Sequence, residues 1–229
     1  MIKEFNEFCD GKESYSQIRQ DMLPLFFLGS EPGYFVEFGA CDGVYLSNTF
    51  LLETYYGWSG LLVEPSSHYN RVLKTKRTST IDTLCVADQT GNKIEFTEVA
   101  GLQGLSGISE YAFNDVHTQT RKDKGFTYEV DTISLKDLLD KHNAPQTIDY
   151  ISIDTEGSEY SILNAYDFSR KFKIMSVEHN NTYTKDLIND LLISKGYINV
   201  LPEESKWDSW YVLPEVYNNV VDRLGYIGV

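Results

Sequence analysis

Short apolar runs alternate along the chain with longer segments whose apolar residues recur at helical spacing. The apolar runs predict core strands at 34–38, 61–64, 80–86, 148–153 and 174–177, and further β segments at 93–99, 127–133, 197–201 and 210–213. Helical patterns lie between them at 47–56, 66–76, 134–142 and 184–195. Strands that alternate with helices predict an α/β protein with a mostly parallel sheet and helices on both faces.

The same patterns divide the chain into parts. Residues 1–30 are predicted to form an N-terminal helical cap, because their apolar residues recur at helical spacing. Residues 31–213 form the main domain, and residues 214–229 a C-terminal tail. Residues 100–126 are rich in glycine, serine and charge and are long for a plain connection, which predicts a substrate loop or lid.

Glycines and acids follow the first predicted strand directly. Glu37 closes that strand, and Gly39 and Gly43 come after it, four positions apart. Glycine keeps side chains out of the path of a ligand near the backbone, and an acid at the strand tip complements an ammonium group. The spacing differs from the dinucleotide fingerprint Gly-x-Gly-x-x-Gly and favours S-adenosylmethionine. Ala40 and Asp42 lie in the same turn and join the candidate cofactor contacts.

Two further acids follow the second and third predicted strands. Glu64, followed by Pro65, lies where a carboxylate can accept both ribose hydroxyls of an adenosyl group. Asp88 follows the third strand, and an adenine amino group often lies at that position in such folds. The alternative for each acid is a surface position without a ligand.

The chain resembles the FkbM family of methyltransferases in four runs, Glu-Phe-Gly-Ala-Cys-Asp-Gly at 37–43, Ser-Asn-Thr at 47–49, Gly-Trp-Ser-Gly-Leu-Leu-Val-Glu-Pro at 57–65 and Ile-Asp-Thr-Glu-Gly-Ser-Glu at 153–159. The resemblance covers about residues 33–201. It implies a Rossmann-like, seven-stranded methyltransferase fold, S-adenosylmethionine as donor, a hydroxyl acceptor on a sugar or polyketide-type product, and a cofactor contact for Asn48. At 41–42 the chain has Cys-Asp where many members have Asn and a small residue.

Two acids follow the fourth predicted strand. Asp154 ends it and Glu156 begins the next turn, and carboxylates this close repel unless a cation, a proton or a donor lies between them. Three uses stay open: contact with cofactor or acceptor, a general base, or a divalent-metal site. For a metal such as Mg²⁺, the oxygen ligands would be Asp154, Glu156 and Glu178. Glu156 could instead cap the following helix.

His179 is the histidine that the pattern places at a strand tip on the ligand edge. An imidazole with a near-neutral pKa can take the proton of a hydroxyl during methyl transfer. We therefore predict His179 or Asp154 as the catalytic base, against the alternative of a structural histidine.

The acceptor is predicted to touch the 100–126 insertion and one aromatic residue. In the insertion the candidates are Ser106, Tyr111 and His117, and elsewhere Trp210, with Trp207 and Tyr211 as neighbours in an apolar platform for a sugar ring. The alternatives are a mobile surface loop and aromatic residues buried in the core.

Composition narrows the acceptor class. The chain has 20 basic and 34 acidic residues, a net charge of −14, which disfavours a nucleic-acid backbone and suits a neutral acceptor such as a sugar hydroxyl. The three cysteines form neither a disulfide framework nor a zinc pattern, so a reduced, cytoplasmic location is expected. No membrane segment is expected, and the oligomeric state is left open.

Two other function classes remain. A nicotinamide-dependent oxidoreductase would need the fingerprint that is absent here. A non-catalytic glycan-binding or scaffold module could keep the fold without turnover.

Overall fold

The computed structural model describes residues 1–99, 101–102, 104–111 and 118–225. These contain the strands β1 (Tyr34–Phe38), β2 (Ser59–Val63), β3 (Thr80–Asp82), β4 (Cys85–Ala87), β5 (Lys93–Glu98), β6 (Gly107–Ile108), β7 (Phe126–Ser134), β8 (Thr147–Ile153), β9 (Lys171–Glu178), β10 (Ile198–Val200) and β11 (Asp208–Val212). Their helices are α1 (Ile2–Cys9), α2 (Met22–Leu28), α3 (Phe50–Tyr56), α4 (Tyr69–Lys76), α5 (Thr118–Lys124), α6 (Leu135–Lys141), α7 (Glu159–Ala165), α8 (Thr184–Ser194) and α9 (Pro214–Arg223).

Seven strands form the main sheet, in the order β10-β11-β9-β8-β1-β2-β3. The five strands from β9 to β3 run parallel, and β11 and β10 add an antiparallel edge. Consecutive residues of β1, β8 and β9 are buried, so both faces of the sheet are covered. The predicted Rossmann-like, mostly parallel α/β fold is confirmed.

The parallel register brings the strand ends together. Phe38 of β1 lies opposite Val63 of β2 and Ile153 of β8. The residues that follow these three strands therefore meet at one edge of the sheet, where open α/β sheets bind ligands.

The third predicted strand, 80–86, is in fact two strands in two sheets. The Asp82 carboxylate accepts the Leu84 N–H at 3.0 Å and contacts Lys141 Nζ at 2.7 Å and His142 Nε2 at 2.6 Å. This cluster turns the chain out of the main sheet after β3. Strand β4 then joins a second sheet, in the order β4-β7-β5-β6.

Both ends of the described chain pack into the main core. Residues 214–229 were expected to be a tail, but α9 begins at Pro214, buries Val216 and Val220, and packs against α2. Proline suits the first turn of a helix, where its missing N–H has no partner to lose. From α1, the Phe5 ring meets Trp210 of β11 at 5.9 Å between centroids.

The insertion at 100–126 is partly regular. Strand β6 pairs with β5, and α5 precedes β7. No helix in the described ranges is long and apolar enough to span a bilayer.

Candidate functional site

A cavity of about 1030 Å³ opens at the carboxyl edge of the parallel strands. The predicted site residues that line it are Gly39, Ala40, Asn48, Glu64, Pro65, Ser106, Asp154, Glu156 and Glu178. Single small-molecule sites occupy roughly 300–1,000 Å³, so this volume is large enough for a cofactor and an acceptor together.

The glycine turn after β1 is required by packing. Gly39 has φ +72°, and a Cβ there would collide with the main-chain oxygen of Asp154. Gly43 has φ +79°, but a Cβ there would meet the side chains of Leu73 and Arg77 instead. Gly39 therefore keeps the cavity wall close to the backbone, whereas Gly43 lets α4 approach the turn.

Glu64 is buried in the cavity wall. Its Oε2 accepts the Cys41 N–H and its Oε1 the Ser66 N–H, both at 2.7 Å. Burial raises the pKa of Glu64 to about 7 in spite of these bonds. Each oxygen still has a second lone pair for a ligand hydroxyl.

Asp154, Glu156 and Glu178 bring a ligand atom each within 4.8 Å of one another. Burial, reinforced by the charges of Asp208 and Glu159, raises the pKa of Asp154. Burial and the charge of Asp154 raise the pKa of Glu178 as well. Such a cluster favours a ligand that brings N–H or O–H donors or positive charge.

Among the predicted site residues of the cavity wall, two buried acceptor atoms have no hydrogen-bond partner. They are Oε2 of Glu178 and Oδ1 of Asn48, whose Nδ2 donates to Ser152 Oγ at 2.7 Å. Unpaired buried acceptors are costly, because desolvation is not repaid by a bond. Both atoms are thus suited to a ligand donor such as an ammonium group.

Carboxylate oxygens are the ligands that Mg²⁺ prefers, but this set fits a divalent metal only in part. The buried guanidinium of Arg121 in α5 donates from Nη2 to Glu156 Oε2 at 2.6 Å, and its Nε donates to the Leu105 carbonyl at 2.8 Å. Arg121 therefore brings a positive charge to Glu156 and holds the insertion against the cavity. The predicted metal set would have to displace it.

Glu37 and Asp42 do not line the cavity. Glu37 is buried, where its carboxylate accepts the Asn48 N–H at 2.7 Å and the hydroxyls of Ser47 and Thr49. Its role is to fix the turn that leads into α3, and with it the position of Asn48.

Asp42 stabilises its own turn. Its Oδ1 accepts the N–H groups of Val44 and Tyr45 at 2.9 Å, and its Oδ2 pairs with Lys76 at 2.7 Å. With both oxygens engaged, Asp42 is a structural residue of the turn.

Three more predicted contacts lie away from the cavity. Asp88 follows β4 and is exposed, because β4 belongs to the second sheet and not to the main one. Trp210 is fully buried in the core against Phe5, since β11 lies between β10 and β9 and is buried along its whole length. Tyr111 lines a smaller pocket of about 30 Å³. His117 lies outside the described residues.

His179 also faces the smaller pocket rather than the large cavity. Its Nδ1 accepts the Asn181 N–H at 3.0 Å. Burial, helped by the charge of Lys185, lowers its pKa to about 4. Of the two predicted bases, Asp154 lines the large cavity and His179 does not.

Strained backbone surrounds the cavity and was not foreseen from the sequence. The lining residues with left-handed backbone are Cys41, Leu46, Glu156, Asn180 and Asn181. Non-glycine residues in this conformation cluster at functional sites, where surrounding structure stabilises them. The cavity is also lined by Gln17, Tyr45 and Trp207.

We expect the unliganded protein to melt at a lower temperature at about pH 8 than at about pH 5.5. Burial raises the pKa of Glu64 and of Asp208 to about 7, so the folded state holds protons that the unfolded chain releases above its ordinary carboxyl pKa. The contribution of these two acids to the free energy of unfolding is complete below the pKa of the unfolded chain, and it is lost as the pH rises to about 7. His179 has the opposite effect on stability, because its pKa is lowered, but this effect acts only below pH 6.5, the ordinary pKa of histidine.

Differential scanning calorimetry across this range tests that expectation. The variant Asp208→Asn removes one of the acids and should reduce the drop. A melting temperature that is equal or higher at about pH 8 would contradict the effect of burial on these acids.

The fold and the acid-lined cavity define a Rossmann-like methyltransferase architecture. Residues 37–198 match the family model described as Methyltransferase FkbM domain. This match spans more than two thirds of the 229 residues, so the chain belongs to the FkbM methyltransferase family. The resemblance seen in the sequence is confirmed, and family membership supports S-adenosylmethionine as the cofactor. A comparison with curated proteins gives no significant match.

Solved structures resemble the chain at low sequence identity. A methyltransferase FkbM from Methylobacillus flagellatus is 14% identical, with a TM-score of 0.49 over 93% of this chain and 50% of that one. A METTL16 methyltransferase domain is 12% identical, with a TM-score of 0.41 over 84% and 63%. The N-terminal domain of human METTL16 in complex with SAH is 12% identical, with a TM-score of 0.38 over 80% and 61%. The chain thus spans about half the length of the first structure.

Proposed function

We propose that the protein transfers the methyl group of S-adenosylmethionine to a hydroxyl of a neutral small-molecule acceptor, such as a sugar or glycan. The observation that carries this proposal is the acid-lined cavity of about 1030 Å³ at the carboxyl edge of the sheet. It has room for two reactants and lies where the glycine turn, Glu64 and Asp154 converge.

The charge of the cavity favours this cofactor. Glu64, Asp154, Glu156 and Glu178 line it, and none of its described lining residues is Lys or Arg. S-adenosylmethionine carries a sulfonium and an ammonium, which acids attract. The pyrophosphate of a nicotinamide dinucleotide would find no Lys or Arg among these lining residues and would raise the pKa of the acids further, which argues against the oxidoreductase alternative. The lack of basic lining residues also argues against a nucleic-acid acceptor.

Each part of the cofactor has suitable partners in the cavity wall. Glu64 is placed to accept the ribose hydroxyls with its remaining lone pairs. The unpartnered Asn48 Oδ1 is suited to accept from the ammonium group, together with Asp154. Gly39 and Ala40 let the cofactor lie against the backbone of the turn.

The reaction is an in-line displacement at the methyl carbon. The acceptor oxygen forms the new C–O bond, the C–S bond breaks, and S-adenosylhomocysteine leaves. The hydroxyl proton passes to Asp154, whose raised pKa makes it a better proton acceptor near neutral pH than an ordinary carboxylate. Most of the rate enhancement comes from holding the two reactants in line.

A metal takes no part in this scheme. Because Arg121 brings its charge to Glu156, we expect no rise in melting temperature when Mg²⁺ is added to the unliganded protein. A saturable rise that Glu178→Gln abolishes would restore the metal hypothesis.

The test of the proposal is methyl transfer from isotopically labelled S-adenosylmethionine to a panel of neutral glycosides, followed by mass spectrometry. Appearance of a methylated glycoside together with S-adenosylhomocysteine supports it. Cofactor binding without transfer to any member of the panel would favour the non-catalytic module.

We expect Glu64→Gln to weaken S-adenosylmethionine binding by about 10- to 100-fold, the effect of losing charge-assisted hydrogen bonds. The amide oxygen can still accept one of the two local backbone N–H groups, from Cys41 or Ser66, and circular dichroism checks that the variant remains folded. Isothermal titration calorimetry measures the change, and Asp88→Asn is the matched control, because it removes an exposed acid outside the cavity. Unchanged affinity in Glu64→Gln would remove Glu64 from the cofactor site.

A further inference from the structure

One side of the cavity mouth is built by segments outside the family-matched residues 37–198. Gln17 comes from the connection between α1 and α2, and Trp207 from the connection before β11. Trp207 Nε1 donates a hydrogen bond to Gln17 Oε1 at 3.0 Å. Two segments distant in sequence therefore close together over the cavity.

Trp207 is fixed beside the acid cluster by its backbone. Its carbonyl accepts the N–H groups of His179 and Asn180, at 2.9 and 3.0 Å, directly after Glu178 at the end of β9. The indole is only half-buried, whereas the rings of Trp58 and Trp210 are 3% and 0% exposed. An accessible aromatic face thus lies next to the proposed reaction centre.

The lining of the mouth is aromatic and neutral, and the exposed Lys206 places its Nζ 5.6 Å from the centroid of the Trp207 ring, outside that lining. Tyr45 lines it and is 62% exposed. The carboxamides of Gln17, Asn180 and Asn181 line it as well, and a carboxamide both donates to and accepts from hydroxyl groups. Aromatic faces pack on the C–H faces of a ring. A phosphorylated or carboxylated ring would lie next to the acids Asp154 and Glu178 of the same cavity, with no Lys or Arg among the described lining residues.

We propose that Trp207, Gln17 and Tyr45 form the acceptor subsite, and that it takes a neutral, polyhydroxylated ring. The ring packs on the aromatic side chains, and the carboxamides bind the hydroxyls that are not methylated. This places one hydroxyl towards Asp154. The assignment rests on the proposed function for its role, and it makes Trp207, Gln17 and Tyr45 specificity-determining residues.

Intrinsic tryptophan fluorescence tests the subsite, because Trp207 is the partly exposed indole while the other two are buried. The full chain is saturated with S-adenosylhomocysteine and titrated with methyl glycosides of a neutral hexose and a 6-deoxyhexose. Glucuronate and glucose 6-phosphate are the charged probes. We expect a saturable change with at least one neutral probe and none with the charged probes.

Variants separate this signal from a general effect. Trp207→Phe should abolish the fluorescence change, and saturation-transfer NMR should show at least fivefold weaker probe binding in Gln17→Ala and Tyr45→Ala. Tyr183→Ala is the matched control for Tyr45, because Tyr183 is 76% exposed and outside the large cavity. It should bind the probes as the wild type does.

Three results would overturn the subsite: no saturable change with any neutral probe, tighter binding of a charged probe, or undiminished binding in Gln17→Ala and Tyr45→Ala. Calorimetry with S-adenosylhomocysteine keeps the two proposals apart. If that ligand binds and the probes do not, the subsite fails alone, whereas failure of that ligand to bind overturns the proposed function.

Discussion

Asp154→Asn is expected to lower the turnover number for methyl transfer by about 100- to 10,000-fold, the range for loss of a general base. The amide keeps the shape of the side chain and one acceptor oxygen but cannot accept the hydroxyl proton. Affinity for S-adenosylhomocysteine should change by less than about tenfold, because Glu64 and Asn48 keep their contacts. Steady-state kinetics with an acceptor from the glycoside panel measures the first effect and calorimetry the second.

The same substitution should raise the melting temperature. Asp154 lies among Glu178, Glu156 and further buried acids, and a neutral amide removes both the burial penalty and the repulsion. Loss of activity with a gain in stability distinguishes a strained functional acid from a structural one.

Asp149→Asn is the matched control, because Asp149 lies on the same strand, β8, and bonds to Lys173 and the Tyr34 N–H. It should retain activity. Normal turnover in Asp154→Asn would exclude this residue as the base.

Arg77→Met is expected to lower the free energy of unfolding by about 3–5 kcal/mol, the usual effect of breaking a buried ion pair. The Arg77 side chain is fully buried, and its guanidinium lies 2.8 Å from Glu53 Oε2 and 3.7 Å from Glu37 Oε2. It also donates to the Gly43 carbonyl at 2.9 Å and to Thr49 Oγ1 at 2.8 Å. Methionine fills the space but leaves the buried Glu37 and the half-buried Glu53 without a counter-charge.

Urea denaturation measures this change. The control is Lys93→Met, which removes an exposed partner of Asp131 and should cost less than about 1 kcal/mol. The double variant Arg77→Met/Glu37→Gln should recover part of the loss, because it removes one of the two stranded charges. A loss in Arg77→Met as small as that of the lysine control would show that the pair contributes little.

Local patterns predicted the elements well. The bounds of β1 agree with the apolar run, and the helix expected at 134–142 begins directly after Ser134, whose Oγ accepts the Asp137 N–H at 3.1 Å. Strand ends gave the position of the cavity, because parallel register places them at one edge. The third predicted strand is interrupted at Asp82, which contacts Lys141 and His142 at the end of α6. These residues are about sixty positions away in sequence, so a local pattern does not indicate the interruption.

Side-chain direction was harder to predict. Glu37 and Asp42 lie beside the predicted glycine turn, but their carboxylates accept hydrogen bonds from nearby backbone N–H groups and do not line the cavity. Trp207 lines the cavity, whereas Trp210 is in the core. The difference arises because β11 begins at Asp208, so that Trp207 precedes the strand and Trp210 is part of it. Arg121 lies in a charged segment typical of an exposed helix, yet it is buried against Glu156. Each outcome depends on packing between distant segments.

The contact between Phe5 and Trp210 has a consequence for the order of folding. Strands β1 to β3 can associate early, but β1 also needs β8, and α1 has no place against β11 until the residues up to Val212 have left the ribosome. Helix α1 is thus made long before the strand against which it docks. During synthesis its apolar side is open to chaperones, and a stall late in translation would leave it unpaired.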